Sequence, residues 1–382
     1  MWVERLDMKD MAGDAEHAFR LSAIPDLVLV FGDTDTLKAG TALQQLKTAF
    51  PSAAQLGCST GTFVDGTHLS DEGVTAIAVG FAETRVALHI EALHEIEESR
   101  QTGLALGEKL QAPDLAGVIV LSDGLRVNGS ALVQGLQAVL GQDAVISGGL
   151  AGDGARFEET LIAIDGEPTS GKVAALGLYG KSIRIAHGSA GGWDEFGPTR
   201  HVTKSEGSTL FELDGKPALD LYESYLGDEA ADLPASGLLY PLKIWNEANP
   251  QEQFVRTILA VDRDAKSLTL AGDIPEGWRA RLMRGAFDRL VDGAAEAARH
   301  AHDEFAQTGL EPELCLLVSC VGRRLLMGQM TEDEVEAVAD ILGPETPITG
   351  YYSYGEIAPH NISDICGLHN QTVTLTLLAE VA

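Results

Sequence analysis

Short apolar runs rich in β-branched residues alternate with helically spaced segments along the first 150 positions. Asp26-Leu-Val-Leu-Val-Phe31 reads as a buried strand, and the following stretch 37–50 places Ala42, Leu43, Leu46 and Phe50 on one helical face. Val118-Ile-Val-Leu121 is a second strand that runs into the turn Ser122-Asp123-Gly124. The spacing then predicts a helix over 131–140 and a strand over 144–146 that enters Gly148-Gly149. Between these units lie strand-like runs with no helix beside them, at 74–81, 85–90, 161–164, 173–179 and 183–187, so the sheets are expected to be mixed.

The texture changes at Gly191-Gly192-Trp193 through Pro198, which reads as a glycine-rich loop, and a domain boundary is expected near residue 200. Beyond it the pattern predicts a helix at 217–226, strands near 254–261 and 267–271, a long amphipathic helix over 282–305 and a buried strand at 314–319. Thr331 and Glu334 form a capping-box pattern that opens a last helix. The expected fold class is therefore α/β, with two layered domains, 1–200 and 201–382, whose mixed sheets are flanked by helices. No internal repeat or low-complexity tract is legible.

Composition narrows the function. At 382 residues and 45% hydrophobic content the chain suits two globular cores. Asp and Glu number 57 against 27 Lys and Arg, a formal charge of −30 that disfavours nucleic acid and anionic membranes, whose binding relies on cationic surface. Four dispersed cysteines do not form a disulfide framework. The first 20 residues contain no apolar signal core, and no run reaches the roughly 20 apolar residues of a membrane span. A soluble, cytoplasmic protein without membrane insertion is expected.

The densest chemistry lies near the C-terminus, where Tyr354-Gly-Glu356-Ile357 is followed by Cys366-Gly-Leu-His369-Asn370-Gln-Thr372. A terminal strand alone needs none of these groups. Gly57-Cys58-Ser59-Thr60-Gly61 matches G-x-S-x-G, with Asp123 and His187 or His369 following in hydrolase order, but turns and a strand succeed it where a helix should. Its alternatives are a close-approach glycine turn and a binding turn that presents Cys58 and Ser59 to a ligand. Gly148 to Gly154 resembles an anion cradle without matching a nucleotide fingerprint. Asp123 and Arg126 stand at a strand's C-terminal end, where open α/β sheets bind ligands. No paired metal-ligand spacing occurs; His187 and His369 stand out by context, while a hydrogen-bonded structural role remains open for each.

In chain order, Gly57 to Gly61, Leu121-Ser-Asp-Gly-Leu125, Gly148 to Gly154, Gly191-Gly-Trp193, Glu212-Leu-Asp-Gly-Lys-Pro-Ala218, Cys320-Val-Gly-Arg323, Tyr354 to Ile357 and His369 to Thr372 resemble the FIST domain proteins over nearly the whole length. That resemblance implies a non-enzymatic cytosolic sensor that binds a small molecule, with amino acids as one proposed class. A stand-alone subset is described as nitric-oxide-sensing proteins that carry haem and regulate a separate histidine kinase. For this chain it would imply His369 or His187 as axial ligand and Arg323, Arg126 or Arg256 beside the propionates. An amino-acid sensor would instead use Arg126, Asp123 and Glu356 as a clamp; Arg323 and Asn370 are expected among the ligand-binding residues whichever ligand is taken. A hydrolase using Ser59 or Cys58 is the remaining alternative. Output would pass to a histidine kinase or other signalling protein, and oligomeric state is open, a homodimer included.

Overall fold

The structure is a computed structural model that describes residues 1–8, 21, 23–142, 144–249, 252–360 and 365–381. Part of the N-terminal stretch read for a signal sequence thus lies outside the described residues. The fold is mixed α/β, and its strands occur as one six-strand pattern traversed three times. The first pass is β1 (Trp2–Leu6), β2 (Leu27–Gly32), β3 (Ala54–Ser59), β4 (Phe63–Asp65), β5 (His68–Ser70) and β6 (Val74–Gly80). The second is β7 (Arg85–Ala92), β8 (Leu115–Ser122), β9 (Ile146–Leu150), β10 (Ile162–Ile164), β11 (Glu167–Thr169) and β12 (Lys172–Tyr179). The third begins with β13 (Ile183–Ala190). An inserted module of strands, β14–β21, then spans residues 194–284 before β22 (Leu314–Cys320), β23 (Ile348–Ser353), β24 (Glu356–Pro359), β25 (Cys366–His369) and β26 (Val373–Glu380).

Each pass contributes a parallel pair, β2/β3, β8/β9 or β22/β23, and each gives its short hairpin to another sheet. The sheet orders are β1-β6-β2-β3-β10-β11, β7-β12-β8-β9-β24-β25 and β13-β26-β22-β23-β4-β5. Hairpins β4–β5, β10–β11 and β24–β25 therefore pass cyclically between the sheets. The two halves expected on either side of residue 200 are interlocked by this exchange. The change of texture at 191–198 marks entry into the inserted module, where the expected loop is instead the start of strand β14 (Asp194–Glu206).

Registers make the repeat explicit. Val30 pairs with Gly57, Val120 with Gly148 and Leu317 with Gly350. A Cβ at these three glycines would lie 1.7, 2.0 and 1.7 Å from the carbonyl oxygens of Val30, Val120 and Leu317. At each point the side-chain direction turns along the sheet into the neighbouring strand, and only glycine fits. One residue further on, Phe31, Leu121 and Val318 are all buried in a core shared by the three sheets. Their partners Cys58, Gly149 and Tyr351 differ in size in a complementary way: a Cβ at Gly149 would sit 2.9 Å from the Tyr351 hydroxyl, and the Tyr351 ring stacks on Phe31 at 5.0 Å. Period-two alternation sends Val28 and Val30 to the opposite face, beneath α1 (Thr34–Ala39) and α2 (Thr41–Ala49). Helices α3 (Ser99–Leu110) and α4 (Gly129–Leu140) cover the second sheet in the same way.

In the third pass, α5 (Ala218–Leu226) packs within the core of the inserted module, α6 (Phe287–Ala306) and α8 (Thr331–Leu342) cover the third sheet, and α7 (Val321–Met327) follows β22. Three sequence expectations shift. The helix expected over 37–50 breaks at Gly40, whose φ of 72° ends α1. Residues 282–284 end a strand, and the long helix starts at Phe287. The Thr331/Glu334 capping box does not form, because the Glu334 carboxylate is drawn into the interior by Arg323, at 2.7 Å, with Ser319 and Tyr352 as further donors.

Gly57→Ala should destabilise the fold by about 3 kcal/mol or more, because its methyl would meet backbone that cannot swing away. Urea unfolding measures this, and a loss below about 1 kcal/mol would contradict the close approach.

Candidate functional site

Equivalent positions in the three passes show where the third departs from the others. The backbone N–H groups of Asp33, Asp123 and Cys320 donate to the carbonyls of Gly73, Lys172 and Thr372, so these three residues correspond. The Asp33 carboxylate accepts from the N–H groups of Thr36 and Gly73, and that of Asp123 from Leu125, Arg126 and Gly171. Each closes its own loop. Cys320 cannot do this, and the turn beside it, Asn370-Gln371-Thr372, holds Gln371 at a φ of 59° where the second pass has Gly171 at 62°. A non-glycine residue in that region is strained and is retained only where its surroundings impose it.

Glu356 is a second departure. It pairs with Gly149 in the register where Phe63 pairs with Tyr351 and Ile162 with Cys58, so a carboxylate occupies an apolar position of the repeat. It is fully buried and accepts from Ser353 Oγ (2.7 Å), Thr372 Oγ1 (2.7 Å) and Thr372 N (3.2 Å). Burial pushes its pKa up to about 7, against the Thr372 and Ser353 donors and Arg323, which favour the charged form.

Cys320 lines a cavity of about 280 Å3 between the inserted module and the three-sheet body. The body side carries Phe157, Cys320, Val321, Leu325, Tyr354 and Asn370; the module side carries Leu238, Thr257, Ile258, Leu259 and Ala271. A second cavity of about 300 Å3 adjoins it and shares Phe157, Leu259, Ala271 and Tyr354. Phe157 stands on the 151–161 loop at a φ of 55°, and its ring stacks on Tyr354 at 4.6 Å. Asp153 shapes this loop by accepting from the N–H groups of Phe157, Glu158 and Glu159 and from the Tyr354 hydroxyl. Burial alone would raise the Asp153 carboxyl, but these donors outweigh it and hold it below its usual range. The anion cradle suggested by Gly148 to Gly154 is thus filled by the chain's own carboxylate.

Asn370 is 1% exposed, and neither end of its amide has a hydrogen-bond partner among the described residues. The Thr257 hydroxyl across the cavity is buried and also unpaired among them. Buried amides and hydroxyls are almost always satisfied, because leaving one dry costs about 1–3 kcal/mol. Two such groups among the residues lining one cavity point to a ligand that completes them. The module is held beside this wall by Arg256, which is 3% exposed and donates to Leu368 O (2.9 Å) and Asp273 O (3.0 Å), and by Asn128 Nδ2 on Asp273 Oδ1 (2.9 Å).

The other candidates lie elsewhere. Cys58 sits in the central core, where burial raises its thiol pKa well above the ordinary value. Ser59 donates to Gly152 O and accepts from Leu161 N, a structural staple rather than a nucleophile elbow. Asp123 is committed to its loop and Arg126 is exposed. Arg323 is fully buried against Glu334 and the carbonyls of Gly191 and Leu290. His187 lies under α6, with Nδ1 3.4 Å from Glu304. His369 bonds Ala358 O through Nε2 (2.9 Å), and burial lowers its pKa to about 3. Phe157, Thr257, Leu259 and Ala271 join the site without a sequence signal; Tyr354 and Asn370 belong to the stretch that had stood out.

The cavity at Asn370 offers no haem site. The apolar cavity at Asn370 has no imidazole and no cation on its wall, while His369 lines a separate cavity of about 320 Å3, its ring set between Phe254 and His360 at 5.9 Å each. Arg323 and Arg256 are already bonded internally, and Lys243, which lines the His369 cavity with His360, pairs with Glu195 at 2.7 Å. Among the described residues no cluster of three or more His, Cys, Asp or Glu is placed to hold a metal.

Asn370→Leu should raise the stability of the ligand-free protein by about 1 kcal/mol, since it removes an unsatisfied buried amide. A lower melting temperature would mean that the amide is already satisfied. Glu356 has a folded pKa above its unfolded one, so its contribution is complete below about pH 4.5 and is lost as pH rises through about 7. Glu356→Gln should therefore gain about 2–3 kcal/mol on wild type between about pH 5 and about pH 8 in urea titrations. Parallel pH profiles would show that the carboxylate stays ionised throughout.

Residues 26–216 match the FIST N domain and residues 218–359 the FIST C domain. The uncharacterized protein MJ1623 of Methanocaldococcus jannaschii is 24% identical over 323 residues, 77% of this chain and 59% of that protein. The chain therefore spans less than two thirds of that relative's length. Among the described residues, no helix is long and apolar enough to cross a membrane. FIST domains are associated with signal transduction and small-ligand sensing, and this chain, matched by both halves, belongs to the FIST family.

Proposed function

We propose that this protein is a small-ligand sensor whose binding site is the cavity between the inserted module and the three-sheet body. The observation that carries this reading is the buried amide of Asn370, unpaired among the described residues, on the lining of a largely apolar cavity. Both sides of the cavity belong to elements with separate cores, so a ligand that contacts both favours the docked arrangement by its differential affinity for it. The surface so biased would be read by a separate signalling protein, a histidine kinase being the receiver that the family resemblance implies. Nitric-oxide sensing would need a haem beside His369 or His187, away from the cavity at Asn370, and no step is built on it.

The neutral fluorophore N-phenyl-1-naphthylamine tests the site. It should brighten on binding to the wild-type protein, and Ala271→Trp, which fills the cavity from the module side, should weaken binding at least about tenfold, the equivalent of 1.4 kcal/mol. Unchanged binding by the variant would place the apolar site elsewhere.

A further inference from the structure

The cavity wall contains no charged side chain among the described residues, and neither does that of the adjoining cavity. In a chain with 57 acidic and 27 basic residues this restricts the ligand. An ion moved from water to this wall would lose its hydration and meet no countercharge. Carboxylates, phosphates and zwitterionic amino acids are therefore poor occupants, and the clamp of Arg126, Asp123 and Glu356 considered for an amino acid is not assembled here: Arg126 is exposed, Asp123 holds its own loop and Glu356 is bonded to Ser353 and Thr372.

What the wall does offer is one planar amide. The buried, unpartnered amide of Asn370 carries an acceptor oxygen and a donor nitrogen side by side, the pattern that pairs in two bonds with an edge carrying a donor and an acceptor on neighbouring atoms. A lactam, –NH–C(=O)–, is the simplest neutral edge of this kind. Thr257 adds a hydroxyl that can serve as donor or acceptor. The stacked rings of Phe157 and Tyr354 border the same space and favour a flat apolar body. Resting on the reading of this cavity as the ligand site, we propose that it takes an uncharged planar ring with a lactam-type edge, recognised by the side chain of Asn370.

Three probes separate the alternatives by displacement of N-phenyl-1-naphthylamine: 2-quinolone, N-methyl-2-quinolone with the donor removed, and L-phenylalanine as a zwitterion of similar size. On wild-type protein 2-quinolone should bind roughly tenfold more tightly than its N-methyl form, the value of a net hydrogen bond, and L-phenylalanine should not compete. The preference should vanish in Asn370→Leu while the fluorophore still binds. Equal affinities for the two quinolones on wild type, no binding of either, or competition by L-phenylalanine would overturn the ligand class while leaving the cavity as the site. Failure of the fluorophore itself to bind wild type would overturn both readings. The wild-type comparison decides the matter even if the variant does not fold.

Discussion

The close approach of three glycines to three carbonyls, Gly57 to Val30, Gly148 to Val120 and Gly350 to Leu317, is the constraint around which the molecule is arranged. At each point two parallel strands meet with no room for a side chain between them. The next residue of each first strand then points into one shared core, where Phe31, Leu121 and Val318 gather with Tyr351. The hairpins exchanged between sheets lock the assembly, since removing any one pass would strip another sheet of two strands. The inserted module sits on this body with its own core.

The proposed site lies where the threefold pattern lapses. An apolar core position becomes Glu356, a loop-closing aspartate becomes Cys320, and Gly171, the left-handed glycine of the second pass, is matched by Gln371. Each change is unfavourable locally: a buried carboxylate, a lost staple and a strained backbone. Natural sequences keep such departures mainly at working sites. Gln371 follows Asn370 in the chain, Glu356 pairs with its neighbour His369, and Cys320 lines the same cavity as Asn370, whose buried amide has no partner among the described residues. The cost in stability is the counterpart of readiness to bind.

Much of the fold was legible because strand and helix periods are local properties. The buried run 27–31, the helix near 131–140 and the mixed sheets follow from spacing alone. The repeat was not legible, since it resides in strand exchange between distant segments and leaves little in the sequence beyond single glycines. Glu334 shows the same limit, because its capping pattern was local but its partner, Arg323, reaches it through the interior. The stretch from Tyr354 to Thr372 announced itself through its polar content, and Asn370 could be singled out there. Thr257, Leu259 and Ala271 could not, because only docking of the module brings them to the wall.

Hydrogen exchange with and without N-phenyl-1-naphthylamine tests the location of the site most directly. Slowed exchange should appear together in 257–259 of the module and in 320–322 and 370–372 of the body, the segments that face each other across the cavity. Protection confined to the module or the body alone, or centred on the acidic groove of Asp33, Asp71 and Asp153, would contradict a ligand site between the two.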